Sequence, residues 1–247
     1  GAANLQIGTF DGNVTRFGGG FGEATIGGGS TVTLQAGAGG SHMVVGRAGA
    51  GTLDIDASTV EVFSTGGAAT FEIGVDANPG SGQYSGTGFV SLDGGAGFID
   101  IEGGEDSRLD IGRGDGSIGR LDVSGGASVW VGNADVMQAG GHAQVQVGSE
   151  AGSGVLNLGR TSGLYITAQG ESRLEVGVGG AGLLDVNGAH IEIKSAQSGD
   201  VLGASAAFGG DGGSSLVTLR GGSIMELTTP DGANMLQIGY SGDAADP

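Results

Sequence analysis

Short alternations of apolar and polar residues recur along the chain. Clear examples are Leu53-Asp54-Ile55, Leu109-Asp110-Ile111, Leu121-Asp122-Val123, Leu174-Glu175-Val176, Leu184-Asp185-Val186 and Ile191-Glu192-Ile193. A period of two places the Leu, Ile and Val side chains on one face of a strand and the residue between them on the other. Each alternation is about five residues long and is bounded by Gly-rich steps, which reads as strands punctuated by turns. No amphipathic capping helix is evident at either end of the sequence.

The alternations come in an ordered set. Ser107-Arg108-Leu109-Asp110-Ile111-Gly112 is followed by Gly119-Arg120-Leu121-Asp122-Val123 and then by Ala127-Ser128-Val129-Trp130-Val131-Gly132. The same order returns from Glu171 to Ile193, from His42 to Val62 and from His142 to Thr167. The glycine that closes the first strand supplies a marker at Gly8, Gly46, Gly74, Gly112, Gly148, Gly177, Gly203 and Gly239, a span of 231 residues in seven intervals with a mean of 33.

Strands this short cannot bury an apolar face alone and must stack on their neighbours. The spacing predicts an all-β fold, a parallel β-helix or β-solenoid, right-handed, with about eight irregular turns. A division with one coil for every pair of strands stays open. Residues 1–242 read as a single repeat domain, and 243–247 as a tail or a junction to further protein. Two stretches, Asp76 to Gly88 and Ser195 to Ser215, interrupt the pattern and read as lateral excursions from the rod.

On segments such as RLDIGRGDGSIGRLDVSGGASVWVG and RLEVGVGGAGLLDVNGAHIEI the chain resembles the Gly-rich passenger repeats of bacterial autotransporters and related secreted surface adhesins. That resemblance covers most of the chain and is one of pattern. It implies a secreted or bacterial cell-surface stalk that mediates adhesion or aggregation, with its membrane barrel or export signal elsewhere in a precursor.

Composition narrows the field. The 59 glycines lack the triplet period and the abundant proline of collagen, since only three prolines are present. Eight Phe, three Tyr and one Trp are too few to fill a wide core, so the core must be narrow or repeated. The formal charge of −18, with Lys194 the only lysine, argues against nucleic acid and against an anionic membrane surface as partners. There is no cysteine for a disulfide or a thiolate site, and no apolar run long enough for direct membrane insertion.

Candidate chemistry is sparse. Asp54, Asp110, Asp122, Glu175, Asp185 and Glu192 sit between apolar residues and are expected to point outward as acidic ladders. Stacked like charges about 5 Å apart repel by roughly 1 kcal/mol in water, unless arginines or divalent cations intervene. No motif requires a cofactor. Calcium is the ion such a surface invites, in loops beside the two excursions, but Gly209-Gly210-Asp211-Gly212-Gly213 and Gly112-Arg113-Gly114-Asp115-Gly116 are only loose versions of the nonapeptide calcium repeat. His42, His142 and His190 precede or open strands of different repeats and are expected at corners rather than in a metal site.

Trp130, between the core candidates Val129 and Val131, and Tyr84, in a Gly/Ser loop, are the candidate partner contacts. Trp130, Tyr84, Tyr165 and Tyr240 are dispersed in sequence, and no catalytic residue is assigned. The expected function is a non-enzymatic extracellular structural or adhesive β-solenoid, whose partners are a second copy or a cell-surface glycan or protein. A phage or extracellular filament component is the alternative, and a polysaccharide-active β-helix enzyme comes third. A groove with clustered polar groups would favour the enzyme.

Overall fold

The computed structural model describes residues 1–9, 20–76, 85–133, 141–196, 202–230 and 233–239. The described residues form twenty-two strands in three sheets. Sheet A carries β1 (Ala3–Thr9), β4 (Ser41–Arg47), β7 (Ala69–Val75), β10 (Ser107–Arg113), β13 (Ala143–Ser149), β16 (Ser172–Val178), β19 (Leu202–Gly210) and β22 (Ala233–Ile238). Sheet B carries β2 (Phe21–Ile26), β5 (Ala50–Asp56), β8 (Thr87–Asp93), β11 (Ile118–Val123), β14 (Ser153–Leu158), β17 (Ala181–Asn187) and β20 (Ser214–Arg220). Sheet C carries β3 (Thr31–Ala36), β6 (Thr59–Ser64), β9 (Phe98–Gly103), β12 (Ser128–Val131), β15 (Gly163–Ala168), β18 (His190–Ser195) and β21 (Ile224–Thr228).

All neighbouring strands pair in parallel, each with the strand three places along the chain. One strand from each sheet therefore makes one coil, and the chain is a parallel β-solenoid. Three strands per coil removes the two-strand division. The count of about eight turns is corrected to seven complete coils, with β22 laying down only the first strand of another.

The core is a set of in-register apolar columns enclosed by the three sheets. Leu53, Val90, Leu121, Leu156 and Leu184 form one such column on sheet B, each at most 2% exposed. Such a core is one residue deep from each sheet and lengthens with every coil, so aliphatic side chains suffice. Phe71 and Phe208 are its buried aromatics.

The corner between sheets A and B sets the coil geometry. Gly8, Gly46, Gly74, Gly112, Gly148 and Gly177 all have φ between +62° and +75°, and an added Cβ would lie 1.8–2.0 Å from a backbone carbonyl oxygen of the next coil. That oxygen belongs to the residue before the second position of the facing sheet-B strand, and this second position is glycine in Gly51, Gly88, Gly119, Gly154 and Gly182. Only glycine satisfies both the left-handed backbone and the absent space. In the seventh coil the corner glycine is Gly209, which faces Gly177 in register, so the marker Gly203 is corrected. The supposed excursion at Ser195 to Ser215 is likewise corrected. Residues 197–201 lie outside the described residues, but Leu202–Gly210 is a sheet-A strand with one register irregularity between Leu202 and Ala204, and Gly209-Gly210-Asp211-Gly212-Gly213 reaches into the same corner as Gly112-Arg113-Gly114-Asp115-Gly116. Within the other excursion, residues 77–84 lie outside the described residues.

Three columns alternate in type from coil to coil. The first position of sheet A runs Ala3, Ser41, Ala69, Ser107, Ala143, Ser172, Ala204. The serines are buried and bond to the strand-end backbone of their neighbours: Ser41 Oγ donates to the Phe63 carbonyl at 2.6 Å, Ser172 Oγ to that of Lys194 at 2.6 Å, and Ser107 Oγ accepts from Gly103 N–H at 2.8 Å. The second position of sheet A alternates His42, Arg108 and Arg173 with Thr70, Gln144 and Ser205. The central outward position of sheet B runs Thr25, Asp54, Ser91, Asp122, Asn157, Asp185, Thr218.

The corner argument separates two glycines of equal backbone strain. Gly112→Ala, with Ser153 O at 1.8 Å and φ +70°, is expected to cost about 3–5 kcal/mol in denaturant unfolding. Gly209→Ala meets nothing nearer than the Ser215 Oγ at 3.1 Å, at φ +65°, and is expected to cost about 1–2 kcal/mol. Equal losses would remove the close approach as the cause.

Candidate functional site

The outward faces of the three sheets hold the polar residues, and each face uses them differently. On sheet A, Glu72, Asp110, Gln146 and Glu175 follow one another in a single column. Arg108 donates from Nε to Asp110 Oδ1 at 2.7 Å and from Nη2 to Gln146 Oε1 at 2.6 Å. Arg113 donates to Glu72 and lies 3.2 Å from Asp110 Oδ2, His42 Nε2 is 2.8 Å from Glu72 Oε2, and Arg173 Nε is 2.9 Å from Glu175 Oε1. Burial works to raise the Glu72 pKa, but the His42 hydrogen bond and the charges of Arg113, His42 and Arg47 outweigh it and hold the carboxyl below its ordinary value. For Asp110, 0% exposed, burial wins over Arg108 and Arg113 and pushes the carboxyl up. These groups are paired with one another, which makes the network a structural brace.

The expectation of outward acidic ladders is corrected here. Asp110 and Glu175 are buried rather than solvated, and Gln146 separates them. Asp54, Asp122 and Asp185 share the sheet-B column but never touch, because Ser91 and Asn157 intervene. Ser91 Oγ donates to Asp54 Oδ1 at 2.7 Å and Asn157 Nδ2 to Asp122 Oδ1 at 2.6 Å, while Arg120 and Arg220 pair with Asp122 and Asp185. Alternation replaces repulsion with hydrogen bonding. Glu192 lies on sheet C between Tyr165 and Glu226.

Sheet C carries the exception to this pairing. Its central outward column runs Thr33, Glu61, Asp100, Trp130, Tyr165, Glu192, Glu226. Val129 and Val131 point into the core, which leaves Trp130 outward and 44% exposed. Its ring stacks on Tyr165 with centroids 4.1 Å apart and planes 17° off parallel, and His190 meets Tyr165 edge-on at 5.9 Å. The tyrosine ring lies across Gly163, where a Cβ would sit 2.4 Å from its Cε2. Glycine at that position lets the tyrosine fold down and receive the indole.

In register on the other side of Trp130 is Asp100. A cleft of about 480 Å³ opens there, lined by Phe98, Asp100, Glu102, Ser128, Trp130 and the Gly95-Ala96-Gly97 turn with Gly126. A second, of about 290 Å³, shares Asp100 and Glu102 and adds Thr33, Gln35, Glu61, Val62 and Phe63. Together they form a groove across coils one to four, perpendicular to the strands. Thr33 Oγ1 donates to Glu61 Oε2 at 2.7 Å and Asn133 Nδ2 to Glu102 Oε1 at 2.9 Å. Asp100 Oδ1 is buried with no hydrogen-bond partner among the described residues. Burial, with the charges of Glu102 and Glu61, pushes the Asp100 carboxyl up to about 7. Among the described residues no lysine or arginine lines either cleft.

The structure thus brings together Trp130 and Tyr165, whose sequence separation had made them look dispersed, and adds Glu61, Asp100 and Glu102, which sequence reasoning missed. Tyr84 and Tyr240 lie outside the described residues. The histidines stay apart. His42 braces Glu72, the His142 ring accepts from Glu171 N–H at 3.3 Å, and His190 opens β18. His42 and His142 do not share a position, since Gln144 occupies the column of His42. Among the described residues no group of three or more His, Asp or Glu is arranged to hold a metal ion.

Asp100 makes stability depend on pH. Its carboxyl holds a proton in the folded chain up to about pH 7 but loses it near pH 4 when unfolded, so its contribution falls as pH rises through that window. Asp100→Asn is expected to raise the melting temperature at about pH 8, by the equivalent of ~1 kcal/mol after solvent screening, and to leave it nearly unchanged at about pH 4. A variant that melts like the parent at both values would contradict this reading of the cleft. Compared with protein families, curated proteins and solved structures, the chain shows no significant match, so the β-solenoid is established by its strand pairing and the passenger resemblance is one of pattern.

Proposed function

We propose that the chain is a non-enzymatic structural or adhesive segment of a secreted or bacterial cell-surface protein, a rigid stalk whose sheet-C face contacts a partner. The observation that carries this reading is the in-register stack of seven coils, in which two of the three outward faces spend their polar groups on bonds between coils. Such a stack resists bending and leaves one face free for recognition. The resemblance to passenger repeats and the charge of −18, which favours solubility of an exposed rod, support the extracellular setting.

A second reading is favoured by one specific feature. Asp100, whose carboxyl is pushed up to about 7 beside Glu61 and Glu102 in a cleft, has the character of a general acid next to further carboxyl groups, as in glycoside hydrolysis. The two readings separate in one set of assays. Beads coated with the folded chain are expected to cluster, or to be retained on glycan-coated surfaces, several-fold more than beads carrying an unrelated acidic protein. Neutral and amino polysaccharides are expected to survive incubation with it unchanged. Retention no better than the control would remove the adhesive role, and release of reducing ends that is lost in Asp100→Asn would establish the enzyme instead.

A further inference from the structure

We propose that the groove beside Trp130 binds a cationic amino sugar, with the sugar ring on the free face of the indole and its ammonium group among Glu61, Asp100 and Glu102. The assignment deepens the adhesive reading and rests on it for its biological setting.

The aromatic pair comes first. Tyr165 covers one face of Trp130 and fixes the ring, and the 480 Å³ cleft opens toward Asp100, the next residue along the column. A rigid indole beside a cavity of that size suits the apolar face of a pyranose. The charge of the walls then selects among sugars. The Glu61 and Glu102 carboxylates and the Asp100 carboxyl line the groove, and among the described residues no cation lines it and the Asp100 Oδ1 has no hydrogen-bond partner, so an anionic polymer is repelled. An ammonium group gains charge-assisted hydrogen bonds from the carboxylates and cation–π attraction from the indole.

The backbone decides against a peptide as the favoured occupant. β6, β9 and β12 are paired on both sides within sheet C, so no strand edge is free to hold an extended peptide by main-chain bonds. A peptide laid across the strands would leave its own amides unpaired, whereas a sugar brings hydroxyl donors that carboxylates accept.

Trp130 is the only tryptophan in the chain, so its fluorescence reports on the groove directly. The full chain is titrated with four soluble probes: a glucosamine tetramer, its fully N-acetylated counterpart, a glucose tetramer and tetralysine. The glucosamine tetramer is expected to perturb the emission saturably and to bind at least tenfold more tightly than each of the others. Glu61→Gln with Glu102→Gln is expected to weaken it at least tenfold without lowering the melting temperature. Trp130→Ala, read by calorimetry, is expected to abolish it.

Equal binding of the acetylated tetramer would overturn the proposal in favour of a neutral platform, tighter binding of tetralysine in favour of a peptide, and no response to any probe would overturn it outright. The comparison of probes on the unaltered chain decides the matter even if a variant fails to fold. Because the probes are soluble, their failure leaves surface retention to be judged separately, and loss of retention leaves the titration intact.

Discussion

The coil of this protein closes around a place where a side chain cannot exist. At the corner between sheets A and B, the α-carbon of one coil approaches the backbone carbonyl of the next so closely that a methyl group would overlap the oxygen. The backbone at that point has positive φ, so the bend and the stacking are set by the same residue. Because the constraint repeats at every step, it fixes the relative placement of the first two sheets, and the register of the apolar columns follows. Gly177 meets the carbonyl before Ser215 just as closely, and only at Gly209, which no further described sheet-B strand follows, does the contact relax to the Ser215 side-chain oxygen of its own coil.

With the register fixed, the energetic question moves to the outward faces, where parallel in-register stacking brings like residues together. Sheet A meets it by interleaving arginines with carboxylates, and sheet B by placing a neutral donor between successive acids. Sheet C leaves Glu61 and Asp100 adjacent, with Glu102 close by, and compensates them with one threonine and one asparagine hydrogen bond but no cation. An acidic cluster with no cation among the described residues, beside a stacked indole, departs from the pairing on the rest of the rod, which is why the candidate site is placed there.

The fold was legible because both its signals are local. The two-residue alternation and the closing glycine each lie within a single strand, and seven of the eight marker glycines occupy the same corner. The eighth marker failed because the seventh coil begins differently: Gly203 sits at a register irregularity near the start of β19, while the corner lies near its end. The site was less legible because it depends on distances between coils. Trp130 follows Gly112 by 18 residues and Tyr165 follows Gly148 by 17, so their stacking was within reach of counting. Asp100 follows Gly74 by 26, because the chain between β7 and β8 is longer, and nothing in the sequence places it beside Trp130. The burial of Asp110 had no local signature either, since an acid between two apolar residues looks the same whether its face meets solvent or an arginine pair.

The alternating columns have a further meaning. Asp54, Asp122 and Asp185, the serines Ser41, Ser107 and Ser172, and the basic residues His42, Arg108 and Arg173 all fall in the second, fourth and sixth coils. In these three columns the repeating unit is a pair of coils, and the fourth and sixth coils resemble each other in sequence accordingly. Excising the fifth coil alone would seat Asp122 on Asp185 and Arg108 on Arg173, while excising two neighbours would preserve the alternation of these three columns. A backbone that would accept any whole number of coils thus carries, in its charged columns on sheets A and B, a preference for even steps.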